Sequence, residues 1–213
     1  MSYLKENIAH LKSLDPGLEL SENPTLYELE ALAERLGIGL DVLLLWNMQY
    51  TNLPWEDLRF VFLDVDGVLT EGGMFYTESG DEFKRFDTKD GMAIKHAMKK
   101  GITFGIISSG VNQSIIQHRA AMFGIEHVYV GTDPKLNVAA GWLDTLGLSW
   151  NEVGYIGDDI NDLEMFGKAR IAACPSDATQ PIKEAAHFVL RSKGGHGCVR
   201  EYLRCFPQLK DVL

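Results

Sequence analysis

Two carboxylates one residue apart, Asp64 and Asp66, stand at the end of the apolar run Phe60-Val61-Phe62-Leu63 and are followed at once by Gly67. Strand interiors disfavour aspartate, so an acidic pair placed where a strand stops points to chemistry rather than packing. Three more groups fall in comparable places. Ser108 ends the run Phe104-Gly105-Ile106-Ile107, and Lys135 opens a helix after Gly131-Thr132-Asp133-Pro134. The acidic segment Gly157-Asp158-Asp159-Ile160-Asn161-Asp162 follows Val153-Gly154-Tyr155-Ile156. Gathered at one sheet edge, these groups suit phosphoryl transfer. A carboxylate can attack phosphorus and form an aspartyl-phosphate. Magnesium prefers carboxylate oxygens and offsets the charge between nucleophile and phosphate. A lysine and a hydroxyl stabilise the equatorial oxygens in the transition state.

Strands must deliver these groups to a common edge. From residue 58 the pattern alternates, with strands predicted at 59–65, 102–108, 127–130, 153–156, 170–173 and 187–190. Helices are predicted at 90–100, 112–123, 135–146, 160–167, 179–186 and 196–206. This alternation predicts an α/β fold, a Rossmann-like parallel sheet with helices on both faces. Ligands of such sheets bind just past the carboxyl ends of the strands, where Asp64 and Asp66 fall. One segment departs from the alternation. Met74-Phe75-Tyr76 and Glu82-Phe83-Lys84-Arg85-Phe86 flank Thr77-Glu78-Ser79-Gly80 and predict a β-hairpin flap after the first strand, arching over the site. Residues 1–57 differ again. Helical spacing from Tyr3 to Leu14 is stopped by Asp15-Pro16-Gly17. Pro24-Thr25 opens a second helix that reaches Leu36, and a third apolar stretch runs from Leu40 to Trp46. The expected organisation is a small helical N-terminal extension, 1–57, and a phosphotransfer domain, 58–213.

Composition narrows the partners. The 213 residues carry a net charge of −10, which disfavours a nucleic acid or an anionic membrane. No apolar run approaches the length of a membrane span. The start, Met1-Ser2-Tyr3-Leu4-Lys5, lacks a basic segment followed by an apolar one, so no secretion signal is expected. Three cysteines without a C-x-x-C pair suit reduced thiols in a cytoplasm. The segment Leu29-Glu30-Ala31-Leu32-Ala33-Glu34-Arg35-Leu36-Gly37-Ile38 resembles the first half of a helix-turn-helix. Residues 1–57, however, hold 3 Lys+Arg against 10 Asp+Glu, a balance of −7, and a groove-reading helix needs cations. Docking or oligomerisation is the expected use of the extension.

The ordered set Asp64-Val65-Asp66-Gly67-Val68-Leu69-Thr70, Ser108, Lys135 and Gly157-Asp158-Asp159-x-x-Asp162 resembles the four motifs of the haloacid dehalogenase phosphatase superfamily over residues 58–207. The resemblance implies Asp64 as nucleophile and Asp66 as general acid and base. It implies Ser108 and Lys135 as holders of the phosphoryl group, and Mg2+ bound by Asp64, the Asp66 carbonyl and Asp158. Counting from Asp64 places the motif hydroxyl on Ser108, whereas counting back from Arg119 places it on Ser109; Ser108 is favoured because loops accept insertions and strands do not. Asp158 and Asp159 compete for one metal role, and Asp162 is expected to hold Lys135 or a loop amide.

Only about forty residues separate Asp66 from Ser108, too few for a cap domain, so the chain resembles capless members whose sites other subunits close. The hairpin, the run Phe86-Asp87-Thr88-Lys89-Asp90-Gly91 and the tail Gly194-Gly195-His196-Gly197-Cys198-Val199-Arg200-Glu201 resemble tetrameric sugar-acid phosphatases. Those enzymes act on 3-deoxy-manno-octulosonate 8-phosphate or 2-keto-3-deoxy-nononate 9-phosphate, in lipopolysaccharide or sialic acid biosynthesis. The resemblance implies substrate contacts from Lys84, Asp90, Ser109, Gly110, His196 and Arg200, with the tail reaching a neighbouring subunit. Two positions depart from it. Gly110 or Val111 stands where the octulosonate enzymes have arginine and the nononate enzymes glutamate, and His196 stands where the former have arginine. The chain has no room for the nucleotidyltransferase domain to which related domains are fused, so CMP transfer is not expected. A competing expectation is a non-catalytic sugar-phosphate-binding or regulatory protein that recruits a partner through its N-terminal helices. The intact acid, hydroxyl and lysine set argues against it.

Overall fold

The computed structural model describes residues 3–21, 23–45, 48–50, 53–110 and 112–209. The chain divides into two compact units, Met1–Leu53 and Pro54–Leu213. The first contains helices α1 (Leu4–Leu14), α2 (Leu26–Leu36) and α3 (Leu40–Leu45). A capping box opens α2, with the Thr25 hydroxyl accepting from the Glu28 amide and the Glu28 carboxylate accepting from the Thr25 amide. Gly37, in the left-handed conformation, closes it. Leu11, Leu18, Leu29, Leu32 and Leu43 form its core, and buried Asn7 links the Leu43 carbonyl to the Met48 amide. Trp46, where the third stretch was expected to end, lies outside the described residues.

In the second unit the chain runs through β1 (Phe60–Leu63), β2 (Phe75–Tyr76), β3 (Glu82–Phe83), α4 (Thr88–Lys99), β4 (Thr103–Ser108), α5 (Gln113–Phe123) and β5 (His127–Val130). It continues through α6 (Lys135–Leu146), β6 (Val153–Ile156), α7 (Leu163–Phe166), β7 (Ile171–Cys174), α8 (Gln180–Ala185), β8 (Phe188–Val189) and α9 (Cys198–Leu203). Among the described residues the six long-range strands form one parallel sheet in the order β5-β4-β1-β6-β7-β8. This is the predicted α/β architecture. β1 is central and buried on both sides, which explains its unbroken apolar sequence. Phe60 and Phe62 point into a core shared with Ala139 and Leu143 of α6, Met165 and Phe166 of α7 and Ile182 of α8. On the opposite face Tyr202 of α9 lies against Gly154, where a side chain would collide with its hydroxyl. Trp55, Phe188, Tyr202 and Phe206 pack edge to face, tilted or stacked around that helix.

The predicted hairpin is present, with β2 and β3 antiparallel and Phe75 opposite Phe83. Two predicted elements differ in extent. The helix expected at 160–167 is a 3-10 turn, Ile160–Asp162, followed by α7, because the Asp162 carboxylate turns back onto the Asp158 and Asp159 amides. The helix expected at 196–206 begins only at Cys198, since Gly197 sits at φ 93, and Asp90 takes up the Gly197 and Arg200 amides at its start.

Candidate active site

The register of the sheet builds the site. Leu63 is level with Ile106 of β4 and Ile156 of β6, so Asp64, Ser108 and Asp158 emerge at the same edge. The Asp64 amide still donates to the Ile156 carbonyl, after which residues 65–69 wind into a wide turn. Gly67 at φ 80 makes that turn possible, and a Cβ there would lie 1.9 Å from Asp158 Oδ2. Asp64, Asp66, Gly72, Met74, Ser108, Ser109, Gly110, Asp158, Asp159, Ile160 and Asn161 line a cleft of about 420 Å³.

Lys135, at the start of α6, reaches into this edge with its side chain only 3% exposed. Its Nζ lies 2.9 Å from Asp64 Oδ1 and 2.6 Å from Asp162 Oδ1. Burial alone favours a neutral amine, but Asp64 and Asp162 outweigh it and hold Lys135 above the ordinary lysine value. Asp162 is fully buried. Oδ1 accepts from Lys135 and from the Tyr155 hydroxyl, and Oδ2 from the Asp158 and Asp159 amides. It therefore serves both of the functions expected of it, with four donors on two oxygens. Nothing in the sequence marks Tyr155, a strand residue between Gly154 and Ile156, as Asp162's partner.

Oxygens of Asp64, Asp158 and Asp162 lie within 4.8 Å of one another. Burial, then the Asp162 charge, pushes Asp64 up to about 7 despite Lys135. Burial and the charges of Asp64, Asp162 and Asp159 push Asp158 up to about 8. Asp158 Oδ1 is buried without a hydrogen-bond partner among the described residues. One lysine cannot neutralise three clustered carboxylates, so a divalent cation held by oxygen ligands fits the residues present. Asp64 and Asp158 would hold it; Asp162, saturated with donors, fits the role of a brace. Asp159 instead caps the 3-10 turn, its carboxylate accepting from the Ile160 amide.

Ser108 and Ser109 both border the cleft but differ in setting. Ser108 is buried at the end of β4, and its Oγ accepts from the Gly110 amide at 3.1 Å. Ser109 is exposed, and its hydroxyl accepts from Asn161 Nδ2 at 3.2 Å. Val111 lies outside the described residues.

Two residues expected to contact substrate have partners within the chain. The Lys84 ammonium lies 2.6 Å from Asp66 Oδ1 and 2.8 Å from Glu82 Oε1, its side chain 2% exposed, so carboxylates from both sides take it up. Asp90 is buried at the start of α4 and accepts from the Gly197 and Arg200 amides, tying the tail down. Residues 194–197 pack against the turn that follows β1. The Gly195 amide donates to the Val68 carbonyl, and a Cβ on Gly194 would fall 1.9 Å from the Gly67 oxygen. His196 is exposed, its Nε2 3.3 Å from Arg85 Nη2 and 3.8 Å from Glu71 Oε2. Arg200 supplies its backbone amide to Asp90.

Comparison with known proteins agrees with this geometry. Residues 128–201 match a family model described as haloacid dehalogenase-like hydrolase. The chain is 35% identical over 146 residues to the 3-deoxy-D-manno-octulosonate 8-phosphate phosphatase KdsC of Escherichia coli K12, covering 68% of this chain and 77% of that protein. The crystal structure of the same-named phosphatase from Yersinia pestis superposes with a TM-score of 0.72 at 30% identity, covering 77% of this chain and 88% of that one. The Moraxella catarrhalis phosphatase, crystallised in complex with magnesium ion, phosphate ion and KDO, superposes with a TM-score of 0.72 at 28% identity, covering 76% and 92%. The chain belongs to the haloacid dehalogenase-like hydrolases, as a phosphoric monoester hydrolase.

Proposed function

We propose that the chain is a magnesium-dependent phosphatase that hydrolyses the phosphomonoester of a 2-keto-3-deoxy sugar acid through an aspartyl-phosphate. The candidate substrates are 3-deoxy-manno-octulosonate 8-phosphate and a nononate or acylneuraminate 9-phosphate. The observation that carries this reading is one cleft lined by Asp64, Asp66, Ser108 and Asp158, with Lys135 beside Asp64 and one Asp158 oxygen without a partner among the described residues. The substrate class rests on the relatives' names.

In the proposed sequence an Asp64 carboxylate oxygen attacks phosphorus, and the P–O bond to the sugar breaks. Asp66 gives its proton to the departing alkoxide oxygen. Asp66 then takes a proton from water, which attacks the same phosphorus and breaks the acyl P–O bond, releasing phosphate and restoring Asp64. Lys135 and the Ser108 hydroxyl hold the non-bridging oxygens, and Ser109 and the Gly110 backbone shape the cleft beyond them. Bound Mg2+, held by Asp64, the Asp66 carbonyl and Asp158, would neutralise charge between the carboxylate and the phosphate. In this reading His196 and Arg200 supply the remaining substrate contacts, and residues 58–213 carry the chemistry while the helical extension 1–57 docks a partner. A homotetramer fits a capless cleft, and the exposed Met74, Phe75, Tyr76 and Phe83 of the hairpin support association. The buried thiols Cys174 and Cys198 suit a cytoplasmic location, and no nucleic acid or membrane is required. Among the described residues no helix is long and apolar enough to cross a membrane.

The test is direct. Purified protein with Mg2+ should release phosphate from at least one of these sugar-acid phosphates, and Asp64→Asn should abolish release. Undiminished turnover by Asp64→Asn would remove the nucleophile from this scheme.

A further inference from the structure

A carboxylate that moves protons must present one chosen oxygen to the leaving group. Asp66 stands on a turn rather than on a strand, and its side chain is 25% exposed, so packing alone does not choose that oxygen. Polar contacts do. Oδ1 is 2.6 Å from Lys84 Nζ and accepts from the Thr70 hydroxyl at 3.3 Å. Oδ2 faces the other way: a Cβ built on Gly110 would lie 3.8 Å from it and 3.2 Å from Ser108 Oγ, so both atoms border the same space in the cleft.

Lys84 has little freedom to do anything else. Its side chain is 2% exposed, and its second partner is Glu82 Oε1 at 2.8 Å, itself 5% exposed. Glu82 belongs to β3, so the ion pair fastens the hairpin to the turn that carries Asp66. A charge-assisted bond of this length is among the stronger side-chain contacts and holds a fixed direction.

We propose that Lys84 is a positioning residue: carried by the hairpin and backed by Glu82, it pins Oδ1 of Asp66 and thereby aims Oδ2 at the leaving-group oxygen. The inference rests on the reading of Asp66 as the proton donor. It makes the hairpin part of the proton-transfer apparatus, and it gives Lys84 a role other than the substrate contact that the resemblance implies.

The experiment compares leaving groups in the full-length, magnesium-loaded protein. One substrate is the sugar-acid phosphate that the wild type turns over best, whose alkoxide needs a proton to depart. The other is para-nitrophenyl phosphate, whose phenolate departs without one. Lys84→Met should lower kcat about 100-fold on the sugar-acid phosphate and by no more than about threefold on para-nitrophenyl phosphate, because a displaced general acid matters only where a proton is needed. Lys84→Arg, which keeps the cation, should recover most of the loss, and Glu82→Gln should show the same split more weakly. Equal losses on both substrates, or a raised KM with kcat unchanged, overturn the inference in favour of a packing or substrate-binding role. Asp66→Asn separates the two levels of the argument. If it shows the split and Lys84→Met does not, the positioning inference fails alone. If Asp66→Asn shows no split, or the wild type hydrolyses neither ester, the reading of Asp66 fails and this inference with it. Thermal melting of each variant identifies any that has not folded, and the arginine variant then decides.

Discussion

Replacing Lys135 by methionine tests the electrostatic account of the site. Methionine keeps much of the stem and its packing, but the charge between Asp64 at 2.9 Å and Asp162 at 2.6 Å is lost. Three carboxylates within 4.8 Å then face one another without a counter-charge. Removing one partner of a buried pair costs about 3–5 kcal/mol. With Asp64 at about 7 and Asp158 at about 8, the metal-free cluster already holds a proton at pH 7. Losing Lys135 leaves the protein the alternative of binding a further one, and holding another carboxyl protonated at pH 7 costs about 4 kcal/mol relative to its ordinary value. Two independent routes thus give the same size. The second also fixes the sign with pH: protonation becomes easier as pH falls, so the cost drops below about 2 kcal/mol at pH 5. For a unit of this length each kcal/mol moves Tm by about 2–4 °C. Metal-free Lys135→Met should therefore melt about 6–20 °C below the wild type at pH 7, with a smaller gap at pH 5 and a smaller gap with excess Mg2+. Differential scanning calorimetry in chelator-treated buffer at both pH values measures this. A gap of under about 2 °C at pH 7, or one that widens as pH falls, would refute the reasoning.

Three further outcomes follow from the same geometry. In the metal-free protein Asp64 lies near 7 and Asp158 near 8, so a divalent cation must displace protons to bind; calorimetric titration with Mg2+ should show the Kd rising as pH falls from 8.5 to 6, and a flat Kd contradicts the carboxylate cluster. Burial pushes Asp90 from 3.8 up to about 6, against the bonds it accepts from Arg200 and Gly197. Its folded form thus holds the proton more tightly, and its contribution to stability declines by about 3 kcal/mol as pH rises through 4 to 6. Asp90→Asn should lose that decline, so its urea midpoint should gain on the wild type across this window; a constant difference counts against it. Gly194→Ala places a Cβ 1.9 Å from the Gly67 oxygen and 3.0 Å from the Thr70 oxygen; it should destabilise by about 2 kcal/mol or more, whereas Gly73→Ala, with nothing within 4 Å, should stay within about 0.5 kcal/mol in urea unfolding.

Much of the fold was readable because its signals are local. Phe60-Val61-Phe62-Leu63 needs two buried faces, Gly101, Gly124 and Gly147 end helices, and a hairpin needs a turn such as the one at Gly80. The residues at strand ends were readable for the same reason: strand register carries Asp64, Ser108 and Asp158 to one edge whatever the loops do. What escaped is pairing at long separation. Lys84 and Asp90 sit in the same charged segment and read alike, yet one turns to Asp66, 18 positions back, and the other to amides 107 and 110 positions ahead. No spacing rule encodes those partners, because loops that the sequence leaves unspecified bring them together. Tyr155 illustrates the same limit, since an aromatic strand residue is expected in the core and only the fold places its hydroxyl on Asp162.

The central claim is that Asp64 forms a covalent bond to phosphorus. Turnover stopped in acid during the steady state, followed by borohydride reduction and peptide mass spectrometry, converts an aspartyl-phosphate into homoserine at its own position. The account predicts homoserine at residue 64, dependent on both substrate and Mg2+ and absent from Asp64→Asn. Homoserine at any other position, or none at residue 64 with single-turnover kinetics showing that the covalent stage should be populated, would contradict it.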